Sequence, residues 1–333
     1  MLIACVALVA CTSATQPLAR ATVAANGPRI VLRPGGANIV ELPAGAHAGD
    51  TSFGSRALAS LNALRAEAGV APVTFDPAVA HAAAEHAHYL VLNHAAGHDE
   101  QPGATGFTGA DVTSRLRHHA PVYGGGEVLS VVGGVQDQTI DEAIQQIFAS
   151  PYHRGAILFD WARAGAAIDI SNGDAEGNRQ VVTVVDFADI ATPLPDTQLV
   201  AWPHDGAHDV PTTWTDIEQP DPMGEHSGYA GRDVGFPVTL SGGPSAHIVL
   251  QSFDLRDEQG QRVPCRIAKP DAGAGRNTAI CTPFTPLGAG IRYSVHAQGL
   301  LTQRSFANAA FDLHWSFTTA APAGQTTHLA QRN

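Results

Sequence analysis

The residues of this chain best suited to acid–base or metal chemistry are histidines and glutamates concentrated in its first half. Along residues 76–93, His81, Glu85 and His88 share one face at helical spacing, and Val79, Ala83, His86 and Leu90 share the opposite one. The first face reads as a solvated surface carrying an i,i+4 pair. His86, on the apolar face, reads as a buried histidine with its ring satisfied. His94 ends the same segment, and His98 and Glu100 follow in a glycine-rich loop, where functional residues concentrate. His118 and His119 come after Arg115 and Arg117 in an amphipathic stretch and are expected to be exposed.

Several chemistries lack their motifs. H-E-x-x-H does not occur, nor does a G-x-S-x-G elbow, a Walker-type loop or a CxxC pair. The acidic run Asp169 to Asn178 offers oxygen donors without the EF-hand pattern and is expected to be a polar hairpin turn rather than a calcium loop. Lys and Arg number 19 against 31 Asp and Glu, with Lys269 the single lysine, so no basic stripe can track a phosphate backbone. Nucleic acid is not an expected partner.

The elements that must position these residues fall in two sets. At 333 residues and 44% hydrophobic content the chain is long enough for two domains. From Ser55 a helical pattern places Leu58, Leu61 and Leu64 together and stops at Gly69. Asp76-Pro77 caps a second helix reaching about Asn93, and Thr139 with Glu142 fits a capping box opening a third that runs to about Phe148. Strands are expected at 163–170 and 179–190. This first domain, assigned to residues 51–195, is therefore α+β. Beyond a proline-punctuated linker, residues 196–320 alternate in short runs between Gly/Pro/Asp turns, the pattern of an all-β sandwich. Residues 321–333 read as a disordered tail.

Met1 to Cys11 is apolar and ends in Leu8-Val9-Ala10-Cys11, which resembles an export signal closing on a lipobox. Lipidation of Cys11 would anchor the protein to a membrane, with plain secretion as the alternative, and residues 12–50 would form a tether and leading strand. With Cys5 removed and Cys11 modified, Cys265 and Cys281 remain on two strand-like segments joined by a turn-rich stretch. A disulfide between them is expected in an oxidising compartment.

Four blocks carry a resemblance to a known family. They are Leu61-Asn62-Ala63-Leu64-Arg65 leading through Gly69 to Phe75-Asp76-Pro77, then Gly97-His98-Asp99-Glu100, Gly126-Glu127, and Ser150-Pro151-Tyr152-His153-Arg154. In this order they resemble the CAP superfamily, the cysteine-rich secretory, antigen and pathogenesis-related group, in its bacterial form. The resemblance implies an αβα sandwich and a shallow cleft of two histidines and two acids, with His98, Glu127 and His153 at three of the four positions. Val128 stands where the common motif has Asn, Ile147 replaces a Trp, and Ser150 occupies the second acidic position. Glu100 or Glu142 would have to stand in for the fourth residue, and the capping box already accounts for Glu142. Separately, Trp202-Pro203-His204-Asp205-Gly206 with Trp315 to Thr319 resembles the Ig-like modules appended to surface proteins.

Two imidazoles and a carboxylate suit zinc with an open fourth place, so His98 and His153 are candidate ligands, with Glu127 as a third ligand or as the group that orients one imidazole. The alternative is a hydrogen-bonded network that only organises the cleft. Three functions remain open: binding of an envelope or extracellular lipid, glycan or protein; metal-dependent hydrolysis with Glu127 activating water; and a purely structural envelope role.

Overall fold

The computed structural model of the chain describes residues 27–36, 53–133, 139–173, 179–191, 195–268 and 277–322. Cys11 and its leader, most of the tether, the tip of the acidic turn 169–178 and the end of the tail lie outside the described residues.

In the first half the order is β1 (Val31–Leu32), α1 (Phe53–Glu67), β2 (Thr74–Phe75), α2 (Pro77–Leu92), α3 (Val112–His119), β3 (Gly125–Gly133), α4 (Ile140–Ala149), α5 (Pro151–Ile157), β4 (Trp161–Ile170) and β5 (Gln180–Ile190). The expected caps are in place. Asp76 accepts from the Ala78 amide at 2.8 Å, and Thr139 and Glu142 exchange both bonds of the capping box. Gly69 ends the first helix turn-wise at φ +75°, with the Pro34 carbonyl where a side chain would stand.

Strands order as β2-β4-β5-β3, with β4, β5 and β3 antiparallel and β2 parallel to β4. Alternation along the strands gives the sheet two apolar faces. Val128, Ala164, Ala166, Val185 and Phe187 pack with residues of α1, α4 and α5. Ala167, Val182, Val184 and Ala188 pack with α2 and α3. The layers are thus helix, sheet, helix, an α+β arrangement.

Among the described residues the second half forms only strands: β6 (Gln198–Trp202), β7 (Ala207–Val210), β8 (Thr213–Thr215), β9 (Asp233–Gly235), β10 (Val238–Ser241), β11 (His247–Arg256), β12 (Arg262–Val263), β13 (Cys265–Ala268), β14 (Thr278–Pro283), β15 (Arg292–Gln303) and β16 (Phe306–Thr319). Two five-stranded sheets form, ordered β1-β6-β10-β14-β13 and β12-β11-β15-β16-β7, with β8 and β9 as a separate ribbon. Cys265 and Cys281 are joined, Cα to Cα 5.4 Å, across the β13–β14 pair.

The tether contributes more than a lead-in. Its strand β1 runs parallel to β6 and so belongs to a sheet of the second half. One continuous core contains buried residues from both halves; the Phe148 ring, for example, meets the Trp202 ring edge-on at 4.8 Å. Among the described residues no helix is long and apolar enough to cross a membrane.

Candidate functional site

Glu127 lies on β3, opposite Asp186 of β5, with its side chain on the sheet face covered by α2 and α3. Its flank is set by Gly126, which the Trp161 ring covers so closely that a Cβ would come within 2.4 Å of it. From α3, Arg115 is fully buried and donates from Nη2 to Glu127 Oε2 at 2.6 Å and from Nη1 to the His98 carbonyl at 2.9 Å. The other Glu127 oxygen stands 2.7 Å from His98 Nδ1. Both carboxylate oxygens are therefore in use.

The electrostatics follow from these contacts. Burial opposes charge on Glu127, but the His98 hydrogen bond and the neighbouring His86 and Arg115 outweigh it and hold the carboxyl below its ordinary range. The same hydrogen bond raises His98 against the opposing effects of burial and Arg115. Asp186 is pushed well above the usual carboxylate range by burial, then by the charge of Glu127, so its neutral form is favoured beside an acid whose ionised form is favoured. Glu127 is only 1% exposed while the His98 side chain is 49% exposed. The arrangement presents one imidazole to solvent and ties it to the interior.

Glu100 proves to be part of that interior. It is 1% exposed. Oε1 meets His86 Nδ1 at 2.9 Å, and Oε2 accepts from the Thr108 and Gly109 amides at 2.6 and 3.3 Å. This corrects its reading as a loop residue open to a ligand: it anchors the loop to α2. His86 is fully buried, as its apolar face implied, with Nε2 3.2 Å from the Gly97 carbonyl. Glu142 is exposed and spends its carboxylate on Thr139.

His153, at the start of α5, is held by the second half of the chain. The loop between β8 and β9 brings in Glu218, whose oxygens accept from the Tyr152 amide at 3.0 Å and the His153 amide at 2.7 Å. His153 Nδ1 stands 3.2 Å from Glu218 Oε1, without the alignment of a hydrogen bond. Burial lowers His153 to about 4, with the charge of His98 adding to the effect, and burial raises Glu218 to about 7. Next in sequence, Arg154 is fully buried and donates to the carbonyls of Phe148, Ala149 and Pro237 at 3.0, 2.7 and 2.7 Å. Its guanidinium also lies over the Phe236 ring, 4.8 Å from the centroid.

The structure thus brings His98 and Glu127 into contact and sets His153 against Glu218. The expected zinc set of His98, His153 and Glu127 is not among the described groups whose ligand atoms converge within 4.8 Å. The physical reason is that Arg115 and His98 consume Glu127 while His153 Nδ1 turns to Glu218. As three direct ligands these residues do not converge on one metal; Glu127 instead stands where it orients the His98 imidazole, the other role open to it. Two other histidine and carboxylate groups do converge: His81, Glu85 and His119, and His296, Asp312 and His314.

Sequence reasoning did not reach Arg115, Asp186 or Glu218. Asp186 left a signal, an acid in the run Val181 to Ala188 whose other residues are apolar except Thr183, where a buried carboxyl must find a role. Arg115 left a weaker one, an arginine beside Leu116 on the only stretch of α3 that is buried. Glu218 left none, since it lies in an irregular loop 65 residues from His153.

Residues 58–185 match the family model described as CAP, cysteine-rich secretory protein family. A comparison of the whole chain with curated proteins gives no match.

Proposed function

We propose, on the premise that residues 58–185 form a CAP domain, that this protein is an exported binding module. It recognises a hydrogen-bond-accepting group of an envelope or extracellular lipid, glycan or protein. The observation that carries this reading is the full engagement of Glu127, which Arg115 and His98 hold at 2.6 and 2.7 Å. A general base for hydrolysis must be reached by the water it activates, and Glu127 is only 1% exposed with a partner on each oxygen. What the network supplies instead is a half-exposed His98 whose proton affinity is raised by Glu127, with Nε2 as the nitrogen left for a ligand. The chain carries a net charge of −12, so recognition of an anion would depend on a short hydrogen bond rather than on long-range attraction.

Alongside α5, a pocket of about 240 Å³ between the halves is lined by Tyr152, Phe159, Trp161, Pro220 and Thr278, an apolar surface that can take a nonpolar part of a ligand. Export is supported by the Cys265–Cys281 disulfide, which persists outside reducing compartments. Lipidation at Cys11 is part of the same reading. If full-length protein partitions to the aqueous phase in detergent and takes up no labelled fatty acid, that part is wrong.

The test uses the full chain, because the core crosses between the halves. Thermal-shift and titration experiments with phospholipid vesicles, envelope oligosaccharides and peptides should find a ligand whose affinity drops at least about fivefold in His98→Ala. Unchanged affinity of every ligand in that variant overturns the reading. So does turnover of a peptide or ester that is abolished in Glu127→Ala, which establishes a hydrolase.

A further inference from the structure

The face of α2 bearing His81 and Glu85 is less solvated than the sequence implies, because the last residue of α3 lies against it. His119 is half-buried, its side chain 20% exposed, and its Nε2 stands 2.8 Å from Glu85 Oε2. His81 Nδ1 is 3.4 Å from the same His119 nitrogen and 3.6 Å from Glu85 Oε1. Two ring nitrogens this close cannot both carry a proton toward each other. At least one lone pair already faces the gap.

The two separations from His81 Nδ1, 3.4 and 3.6 Å, are close to those of a tetrahedral site, and the shorter His119–Glu85 contact is a hydrogen bond that a metal would replace. Zinc binds imidazole nitrogen at about 2.0–2.1 Å, so two ligand atoms on one tetrahedral zinc stand about 3.3 Å apart. The imidazole planes of His81 and His119 are inclined at 64°, so the in-plane lone pairs of the two rings can meet at one point. The other converging group lacks this property: the His296 and His314 rings stack nearly parallel, 4.0 Å apart and inclined by 14°. Their lone pairs lie in separate planes and point alongside each other, and both nitrogens are used on Asp312, at 2.7 and 3.1 Å.

We propose that His81, Glu85 and His119 form a zinc-type divalent-cation site, with water in the fourth position on the solvent side, where the His81 side chain is 63% exposed. The backbone places the ligands before any metal arrives. His81 and Glu85 are one turn apart on α2, and α3 is fixed by its Asp111–Ser114 capping box and by Leu116 packed with Val79 and Ala82. A bound ion would clamp α3 to α2 one turn beyond Arg115, the residue that orients Glu127 and the His98 loop. The site shares no ligand with the His98 cleft, so it stands or falls separately from the binding function.

The full-length protein, stripped with chelator, is titrated with cobalt(II) and then competed with zinc. The expected result is one equivalent taken up with the intense visible bands of tetrahedral cobalt, displaced by zinc and weakened by acid, since imidazole ligands must be neutral. His81→Gln/His119→Gln should abolish that uptake, and Glu85→Gln should weaken it by about tenfold, whereas His296→Gln/His314→Gln and His98→Gln should leave it unchanged. Metal-free melting temperatures and far-UV dichroism establish that the variants fold; if the double variant does not, Glu85→Gln decides. No uptake by the wild type, uptake that survives His81→Gln/His119→Gln, or uptake lost in His296→Gln/His314→Gln overturns the site.

Discussion

At Arg115, one guanidinium links the His98 backbone, the Glu127 carboxylate and the interior end of α3. Removing it leaves Glu127 ionised and buried with a single partner, so Arg115→Ala is expected to cost about 3–5 kcal/mol in chemical denaturation. The same change removes a positive charge that opposes protonation of His98, so the His98 pKa should rise further. Glu127→Gln removes the dominant cause of the upward shift, and the His98 pKa should fall. An NMR titration of the His98 ring protons in both variants checks the two opposite directions. The sign for stability follows from linkage. The folded pKa of His98 lies above its unfolded value, so its contribution is complete below the unfolded value and is lost as pH rises through the folded one.

The contact of α5 with the β8–β9 loop puts two oppositely shifted groups side by side. Glu218, raised to about 7, binds more protons folded than unfolded, so its contribution is present at low pH and lost as pH rises through about 7. His153, lowered to about 4, does the reverse: its contribution is present above the unfolded histidine range and lost as pH falls through about 4. Between these limits the two slopes oppose each other. Glu218→Gln should therefore unmask the histidine, and the stability of this variant relative to the wild type should fall on acidification toward pH 4. A shift of this size corresponds to about 3 kcal/mol. Denaturation midpoints across pH 4–7 measure it, and parallel curves for the two proteins would refute the coupling. Glu218→Ala goes further, stripping the acceptor from two partly buried amides, and should cost about 2–4 kcal/mol at neutral pH.

Across the whole molecule, the halves are joined by packing rather than merely by chain. Phe148, Ile157 and Leu158 share a core with Trp202, Phe236 and Leu240. Arg154 sends its guanidinium from α5 to the Pro237 carbonyl. A fragment covering residues 51–195 exposes these apolar groups and takes the Pro237 carbonyl from Arg154, leaving it only Phe148 and Ala149, so it should melt well below the intact chain. Differential scanning of the two proteins makes the comparison; equal melting temperatures would show that the halves fold independently. The disulfide acts at the same scale, and Cys281 sits opposite Val238 on the strand pair that α5 packs against. Closing the loop between Cys265 and Cys281 should stabilise the intact protein by about 3 kcal/mol, measured as the loss in Cys265→Ser/Cys281→Ser.

Local chemistry was legible in the sequence wherever a short segment decides its own structure. Asp76-Pro77 and the Thr139–Glu142 pair set helix starts, because caps satisfy amides three residues away. Apolar spacing marked α1, α2, β4 and β5, and the burial of His86 followed from its face. Two flanking strand patterns sufficed for the Cys265–Cys281 bridge. Short elements escaped: α3 gives the core only Arg115 and Leu116, and α5 is a seven-residue helix, so neither has enough apolar period to stand out. What only the tertiary structure decided is which partner each charged group has. Glu100 turned inward to His86, His119 came to rest on Glu85, and Glu218 crossed 65 residues of sequence to hold α5. Burial makes such a partner obligatory, but its identity depends on long-range packing that no local spacing encodes.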